Sequence, residues 1–286
     1  MALFQVDFVS QALKRSVAIN AIIPAEPDLG GAKREGKPFK TLYLLHGYSG
    51  DNWDWLIKAN SRELSKLNDL AIIMPSGENS FYLDIERTGR LYSTFIGREL
   101  VEFTRSVFPL SSRREDTFIA GLSMGGYGAL YNGLKHHDAF SHIIALSSAN
   151  LAEIALRIDG GSAPMGVSRG YIEDLIGMDI NKVRESDFNL EVLAKRVFDG
   201  GVNIPELYIA CGYNDNLVFD NRRLSAYLSA IGYKHVYEEG AGTHEWAFWD
   251  AFLKRAVARL PVDHIERPVS PYWIDAREDS PNPVQL

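Results

Sequence analysis

The sequence predicts an α/β domain built on a mostly parallel central sheet with helices on both faces, and three observations lead there. Short, continuous apolar runs recur along the chain, as strands buried on both faces require. Segments with helical apolar spacing separate most of them. Of the 286 residues, 46% are hydrophobic, enough for a sizeable core in one domain spanning residues 1–286.

The chain opens on two alternating stretches, residues 4–9 and 17–23, in which apolar and polar side chains trade places as in half-buried strands. Pro24 closes the second. Residues 24–38 collect Gly, Pro and charge and read as a surface loop rather than a domain linker, because the strand that follows needs neighbours. Continuous apolar runs come next at 41–45, 70–74, 117–122, 142–146 and 207–211, with a weaker sixth at 233–237. Helical spacing marks 96–107, with Ile96, Leu100, Val101 and Phe103 apolar, and also 127–134, 183–198, 217–231 and 245–260. This β-α-β-α alternation places a ligand crevice beyond the carboxyl ends of the strands. Residues 147–201 break the rhythm. They are too long for a simple crossover, carry Gly160, Gly161, Pro164 and Gly170 near their centre, and are expected to form a small cap insertion over the crevice. Residues 261–286 are punctuated by proline and are expected to form an irregular tail.

Composition narrows the functional classes. The formal charge of −7 comes from dispersed acids, and no Lys/Arg cluster resembles a nucleic-acid footprint or a polybasic membrane anchor. Cys211 is the single cysteine, so an internal disulfide and a cysteine-based metal site are excluded, and a reducing compartment suits the chain. Residues 1–7 lack the basic start and long apolar core of a signal peptide, and no apolar run reaches membrane length. A cytoplasmic protein with no nucleic-acid or membrane partner is the expectation.

Gly121-Leu122-Ser123-Met124-Gly125 spells G-x-S-x-G between the run 117–122 and a helix-forming segment. A serine hydroxyl is a poor nucleophile at neutral pH, and a sharp strand-to-helix turn exposes it while the helix N-terminus aims free N–H groups at developing negative charge. By itself so loose a pattern also fits a Gly-rich turn with an incidental serine. Two other strand ends carry the complementary residue types: Asp215 after the run 207–211, and His244 in Gly240-Ala241-Gly242-Thr243-His244. The order Ser, Asp, His is that of the α/β-hydrolase fold and differs from the orders in two other serine-protease folds. Asp220, one helical turn beyond Asp215, competes for the acid's role; Asp215 is preferred because a short connection to a strand end positions a side chain better.

The oxyanion needs two donors. Met124 N–H follows the nucleophile directly, and Tyr48 N–H lies in His46-Gly47-Tyr48-Ser49-Gly50 after the run 41–45. His46 is read as holding that loop rather than as a second base. Trp53 and Trp55 follow at once and are candidate substrate-binding residues, with packing an equal alternative for each. His136-His137 reads as a helix C-cap. Asn214, Asp215, Asn216 and Asp220 are oxygen-rich, but the glycine and closing glutamate of a calcium loop are missing, so neither metal nor cofactor is expected.

With these residues assembled, the chain resembles the esterase D/feruloyl esterase group of α/β-hydrolases, and within it the tributyrin esterase branch. The resemblance covers roughly residues 41–260. It rests on Leu44-Leu45-His46-Gly47-Tyr48-Ser49-Gly50, Met74-Pro75, Gly121-Leu122-Ser123-Met124-Gly125-Gly126-Tyr127-Gly128-Ala129, Cys211-Gly212-Tyr213-Asn214-Asp215 and Gly242-Thr243-His244. It implies Ser123, Asp215 and His244 as the triad, Tyr48 and Met124 as oxyanion donors, and short-chain acyl esters, acylated sugars or S-formylglutathione as substrates. The S-formylglutathione branch usually has a cysteine in the loop after His-Gly, whereas this loop reads Tyr48-Ser49-Gly50-Asp51. The related mycolyltransferases are exported and bind very long lipids. A serine carboxylesterase acting on small esters is therefore expected, ahead of a sugar deacetylase or feruloyl esterase, an S-formylglutathione hydrolase, or a silent binding module of the same fold.

Overall fold

The structure is a computed structural model that describes residues 1–25, 36–159 and 166–264. The expected loop at 24–38, the Gly160-Gly161 and Pro164 features of the insertion, and the tail at 261–286 fall largely outside the described residues.

Among the described residues there are ten strands: β1 (Ala2–Ser10), β2 (Arg15–Ile23), β3 (Lys40–Leu45), β4 (Leu70–Pro75), β5 (Asp84–Ile85), β6 (Arg90–Leu91), β7 (Thr117–Leu122), β8 (His142–Leu146), β9 (Glu206–Gly212) and β10 (His235–Gly240). Eight form one sheet in the order β1-β2-β4-β3-β7-β8-β9-β10, and β5 pairs with β6 as a separate ribbon. β1 and β2 are antiparallel and β2 runs antiparallel to β4, while the six strands from β4 to β10 are mutually parallel. The helices are α1 (Asp54–Lys58), α2 (Ser61–Leu67), α3 (Tyr92–Thr94), α4 (Leu100–Val107), α5 (Met124–Lys135), α6 (Leu151–Asp159), α7 (Arg169–Ile176), α8 (Leu190–Gly200), α9 (Val218–Ala230) and α10 (Trp246–Val257). A π-helical turn, Phe95–Glu99, joins α3 to α4.

The apolar runs are continuous because each strand buries both faces. On β3, Tyr43 and Leu45 enter a core with Leu100, Tyr127, Leu130, Leu193 and Leu224, whereas Leu42 and Leu44 enter a second core with Trp55, Leu64, Trp249 and Phe252. Helices α4, α5, α8 and α9 thus cover one face, and α1, α2 and α10 the other. Strand order reverses between β3 and β7, so the loops after these strands diverge and leave the crevice that such sheets use for ligands.

Three elements depart from the expectation. The last strand begins at His235, not 233, because its parallel register with β9 starts at His235 opposite Leu207. Tyr233 is buried beside it with its phenol donating to the Pro205 carbonyl at 2.9 Å. The expected helix 183–198 is two pieces, a 3₁₀ segment Ile180–Glu185 and α8, divided where the Asn189 side chain caps α8 by accepting from Glu191 N–H. Within the region expected as a cap, α8 packs against α5 and α9 as a crossover helix does, leaving α6 and α7 as the excursion.

Candidate active site

Ser123 stands between β7 and α5, as the N-cap residue of the helix, with φ 55° and ψ −117°, a conformation that residues with a side chain rarely adopt. Its backbone is fastened from several sides. Ser123 N–H donates to the Leu146 carbonyl at 2.8 Å, and its carbonyl accepts from Tyr127 at 3.0 Å and Ala149 at 3.1 Å. The glycines around it are required by proximity: a Cβ on Gly121 would collide with the Gly125 carbonyl, and one on Gly125 with the carbonyls of Leu45 and His46. The turn can be this sharp only with those two side chains missing.

His244 reaches Ser123 from the loop between β10 and α10. Its Nε2 lies 3.0 Å from Ser123 Oγ, and its Nδ1 lies 2.9 Å from Asp215 Oδ2. The two loops are laced together, since Tyr213 N–H donates to the Gly240 carbonyl at 2.8 Å and Asn214 N–H to the Gly242 carbonyl at 3.1 Å. Gly242, at φ 147°, accepts a backbone angle unfavourable to other residues. Asp215 is 3% exposed. Burial opposes its ionisation, but donors from His244, from Leu217 N–H at 2.8 Å and from Ser147 outweigh it and hold the carboxyl below the usual aspartate range. An anionic Asp215 fixes the tautomer that places a proton on Nδ1 and leaves Nε2 to accept from the serine hydroxyl. Asp220 sits elsewhere: it is paired with Arg157 of α6, and burial raises its pKa. The structure therefore brings Asp215, not Asp220, to His244.

Met124 is the first residue of α5, so its N–H has no intrahelical acceptor. Gly47, preceding Tyr48, is close enough that a Cβ there would lie 3.6 Å from Ser123 Cβ. The 47–50 loop is a turn closed by Gly50 N–H to Gly47 O at 3.1 Å, and Ser49 N–H donates to Asn79 Oδ1 at 2.7 Å. His46 is consumed in supporting it. Nδ1 donates to the Gly47 carbonyl at 2.7 Å, and Nε2 accepts from Gly77 N–H at 2.8 Å. Burial lowers its pKa, which keeps the ring neutral as that bonding pattern needs.

The two tryptophans separate. Trp55 is 1% exposed, donates Nε1–H to the Leu45 carbonyl at 2.9 Å and packs edge-on against Trp246 at 5.1 Å. This places it in the core beneath the loop and corrects the expectation that it contacts substrate; full burial of such a ring stabilises the fold by roughly 2–3 kcal/mol. Trp53, at the N-cap of α1, is half-buried. His136 is the C-cap residue of α5, but its ring turns inward to Ser93 Oγ at 3.1 Å, so the capping is by backbone rather than by the ring. Segment 76–92 carried no periodic signal, yet it supplies Gly77 to His46, Asn79 to Ser49 and the Tyr82 phenol to the His46 carbonyl at 2.9 Å.

A cavity of about 420 Å³ adjoins this loop, lined by Glu78, Asn79, Arg87, Arg90, Tyr171 and Asp174 among others. A larger one, about 550 Å³ and bordered by Lys40 and Asp116, opens at the amino ends of the strands, away from Ser123. Among the described residues, no group of three or more His, Cys, Asp or Glu side chains gathers as metal ligands, and no helix is long and apolar enough to cross a membrane.

Comparison with known proteins gives the family. Residues 10–178 match the Esterase family, described as "Putative esterase". An acetyl esterase of Caldicellulosiruptor saccharolyticus is 44% identical over 258 residues, covering 90% of this chain and 97% of that one. Among solved structures, an S-formylglutathione hydrolase of Staphylococcus aureus is 30% identical with a TM-score of 0.77, covering 90% of this chain and 97% of its own. A fluorophosphonate-binding serine hydrolase of the same organism is also 30% identical over the same shares, with a TM-score of 0.79. The chain belongs to the Esterase family, in the esterase D/feruloyl esterase group of α/β-hydrolases, and is a serine carboxylic ester hydrolase.

Proposed function

We propose that Ser123 is the nucleophile, His244 the general base, Asp215 its anionic partner, and Met124 and Tyr48 N–H the oxyanion donors of an esterase for small, short-chain acyl esters. The observation that carries this reading is the unbroken chain Ser123–His244–Asp215 at 3.0 and 2.9 Å, drawn from three strand ends. Ser123 Oγ adds to the ester carbonyl as its proton passes to His244 Nε2, and the resulting oxyanion is held by the two backbone donors. The carbon–alkoxide bond breaks as Nε2–H protonates the departing alcohol, leaving an acyl-serine. His244 then takes a proton from water, the hydroxide adds to the acyl carbon, and Ser123 leaves with that proton. Asp215 stabilises the imidazolium in both halves.

An acetyl group as the acyl part is supported by the 44% identical acetyl esterase. For the alcohol, the polar cavity beside the Tyr48 loop supports a hydroxylated leaving group such as a sugar. Helices α6 and α7 act as the cap: Tyr171 of α7 donates its phenol to the Asn79 carbonyl at 2.6 Å, and the Asn79 side chain accepts from Ser49 N–H. Trp53, half-buried at the N-cap of α1, is the aromatic side chain read here as a substrate contact. S-formylglutathione is the second reading, favoured by the 30% identical hydrolase named for it. A cytoplasmic setting is supported by a lone cysteine that is buried and unbridged.

The test is turnover of p-nitrophenyl acetate by wild type and Ser123→Ala, with fluorophosphonate labelling of the folded proteins. Loss of about 10⁴-fold or more in kcat and loss of labelling are expected; undiminished turnover in the variant removes the assignment. Acetyl, butyryl, octanoyl and feruloyl esters and S-formylglutathione, compared by kcat/KM, then rank the substrates.

A further inference from the structure

Asn221, the fourth residue of α9, is 1% exposed, and its amide ties the turn that carries Asp215 to the loop after β8. Its Oδ1 accepts from Ser148 N–H at 3.1 Å, while Nδ2 donates to the Ser148 carbonyl at 3.0 Å and to the Leu217 carbonyl at 2.9 Å. An amide suits this set. One partner needs an acceptor and two need donors, whereas a carboxylate only accepts and an apolar side chain does neither. Each end of the clamp leads to the proposed triad through further hydrogen bonds. Leu217 is the N-cap residue of α9, and its N–H donates to Asp215 Oδ1 at 2.8 Å. Its carbonyl is held twice by Asn221, by the side chain and by the backbone N–H at 3.1 Å. At the other end, the residues around Ser148 hold the nucleophile: Ser123 N–H donates to the Leu146 carbonyl at 2.8 Å, and Ala149 N–H donates to the Ser123 carbonyl at 3.1 Å. One buried side chain thus joins the acid turn to the elbow.

We propose that Asn221 is a positioning residue of the esterase reaction, setting where the Asp215 carboxylate stands relative to Ser123 so that His244 reaches both at once; this rests on the triad reading above. His244 spans a defined gap, with Nδ1 2.9 Å from Asp215 Oδ2 and Nε2 3.0 Å from Ser123 Oγ. An imidazole is a rigid ring, so it bridges the two only while they keep their separation. Strands β7 and β9, which deliver Ser123 and Asp215, are not neighbours but flank β8, and the clamp closes on the loop after β8. Without the amide, the start of α9 loses its hold on that loop, Asp215 shifts with Leu217, and Nε2 turns away from Ser123 Oγ. Such misplacement slows proton transfer in both acylation and deacylation while leaving ground-state substrate binding in place.

The test is the rate constant for fluorophosphonate labelling of Ser123, which a purely structural role would not move, because unfolded molecules lower the amplitude of labelling and not its rate. Asn221→Leu keeps a similar shape and removes all three side-chain hydrogen bonds. Labelling is expected to slow roughly tenfold, with kcat for p-nitrophenyl acetate falling alike and KM within about twofold. Asn221→Ser, whose hydroxyl keeps one donor, should lose less. In an Asp215→Asn background, where the acid no longer serves the imidazole, Asn221→Leu should slow labelling by less than about twofold more, the mark of coupling between the two positions. Asp220→Asn, one residue away on α9 but turned to Arg157, should label at the wild-type rate. A wild-type rate in Asn221→Leu, with Ser123→Ala inactive, overturns the proposal and leaves the triad standing. A loss that persists in full in the Asp215→Asn background overturns it too, since Asn221 would then act without the acid. Should Asn221→Leu fail to fold, Asn221→Ser decides by the same two criteria. Full turnover by Ser123→Ala instead overturns the triad itself.

Discussion

His244 Nδ1 stands 2.9 Å from Asp215 Oδ2, while the next acid along the chain, Asp220, is engaged by Arg157 on α6. The two carboxylates lie five positions apart in sequence and face different partners. Asp215→Asn should lower kcat by roughly 10⁴-fold, since an amide favours the wrong imidazole tautomer. Asp220→Asn should leave turnover intact and change stability by less than about 1 kcal/mol, because burial already disfavours its charged form. Steady-state kinetics and urea melts on both variants check this, and inactivity of Asp220→Asn alone would reverse the assignment.

The strained backbone of Ser123 predicts a stability–activity trade at one position. Ser123→Gly relaxes φ 55°, ψ −117° and should raise unfolding free energy by about 1 kcal/mol while abolishing turnover. Ser123→Ala should abolish turnover without that gain. Equal melts for the two variants would show that the turn stores no strain.

His136 sets a pH limit on the fold. Its buried ring, against Ser93 and over Gly97, has its pKa lowered to about 4 by burial and then by Lys135 and Arg98. The unfolded chain takes up this proton near 6.5 and the folded protein only near 4. Its contribution is therefore complete above 6.5 and is lost as pH falls toward 4, by up to about 3 kcal/mol. His46, lowered by burial too, pushes the same way. Urea melts from pH 7.5 to 4.5 should show this slope, and His136→Gln should flatten it; an equal slope in the variant would assign the effect elsewhere.

Tyr171 ties α7 to the 47–50 loop through Asn79, whose carbonyl accepts from the phenol and whose side chain accepts from Ser49 N–H. Tyr171→Phe removes hydrogen bonding worth about 1 kcal/mol and should raise KM about fivefold for esters with bulky alcohols. For p-nitrophenyl acetate, which needs little of the cap, kcat should stay near wild type. A uniform loss of kcat across alcohols would indicate that the phenol acts on the oxyanion donors rather than on substrate binding.

The elbow was legible because its requirements are local. Gly121 and Gly125 are needed by the turn containing Ser123, and the carbonyls their side chains would strike lie within that turn or at the end of β3. Parallel strands such as β4 were legible because burial on both faces writes itself as an unbroken apolar run, Leu70 to Met74. Segment 76–92 was silent since its order comes from partners far along the chain, and positive φ at Glu78, Phe81 and Tyr82 follows no propensity pattern. Trp55 stayed open between substrate contact and packing for a related reason: an aromatic ring beside a loop looks alike whether it faces substrate or donates to the Leu45 carbonyl.

The sequence by itself determined the fold class, the family and the residue types of the chemistry, because strand periodicity, the glycines of the elbow and the Ser, Asp, His order are properties of neighbours along the chain. Only the tertiary structure decided which acid lies against His244, that Trp55 is core, and that the Trp249 indole meets the Ser147 hydroxyl. Those relationships join residues such as Ser123 and His244, 121 positions apart, or Ser147 and Trp249, 102 apart. Hydrogen bonding at 3 Å depends on how β7, β8, β9 and α10 pack, which no local pattern encodes.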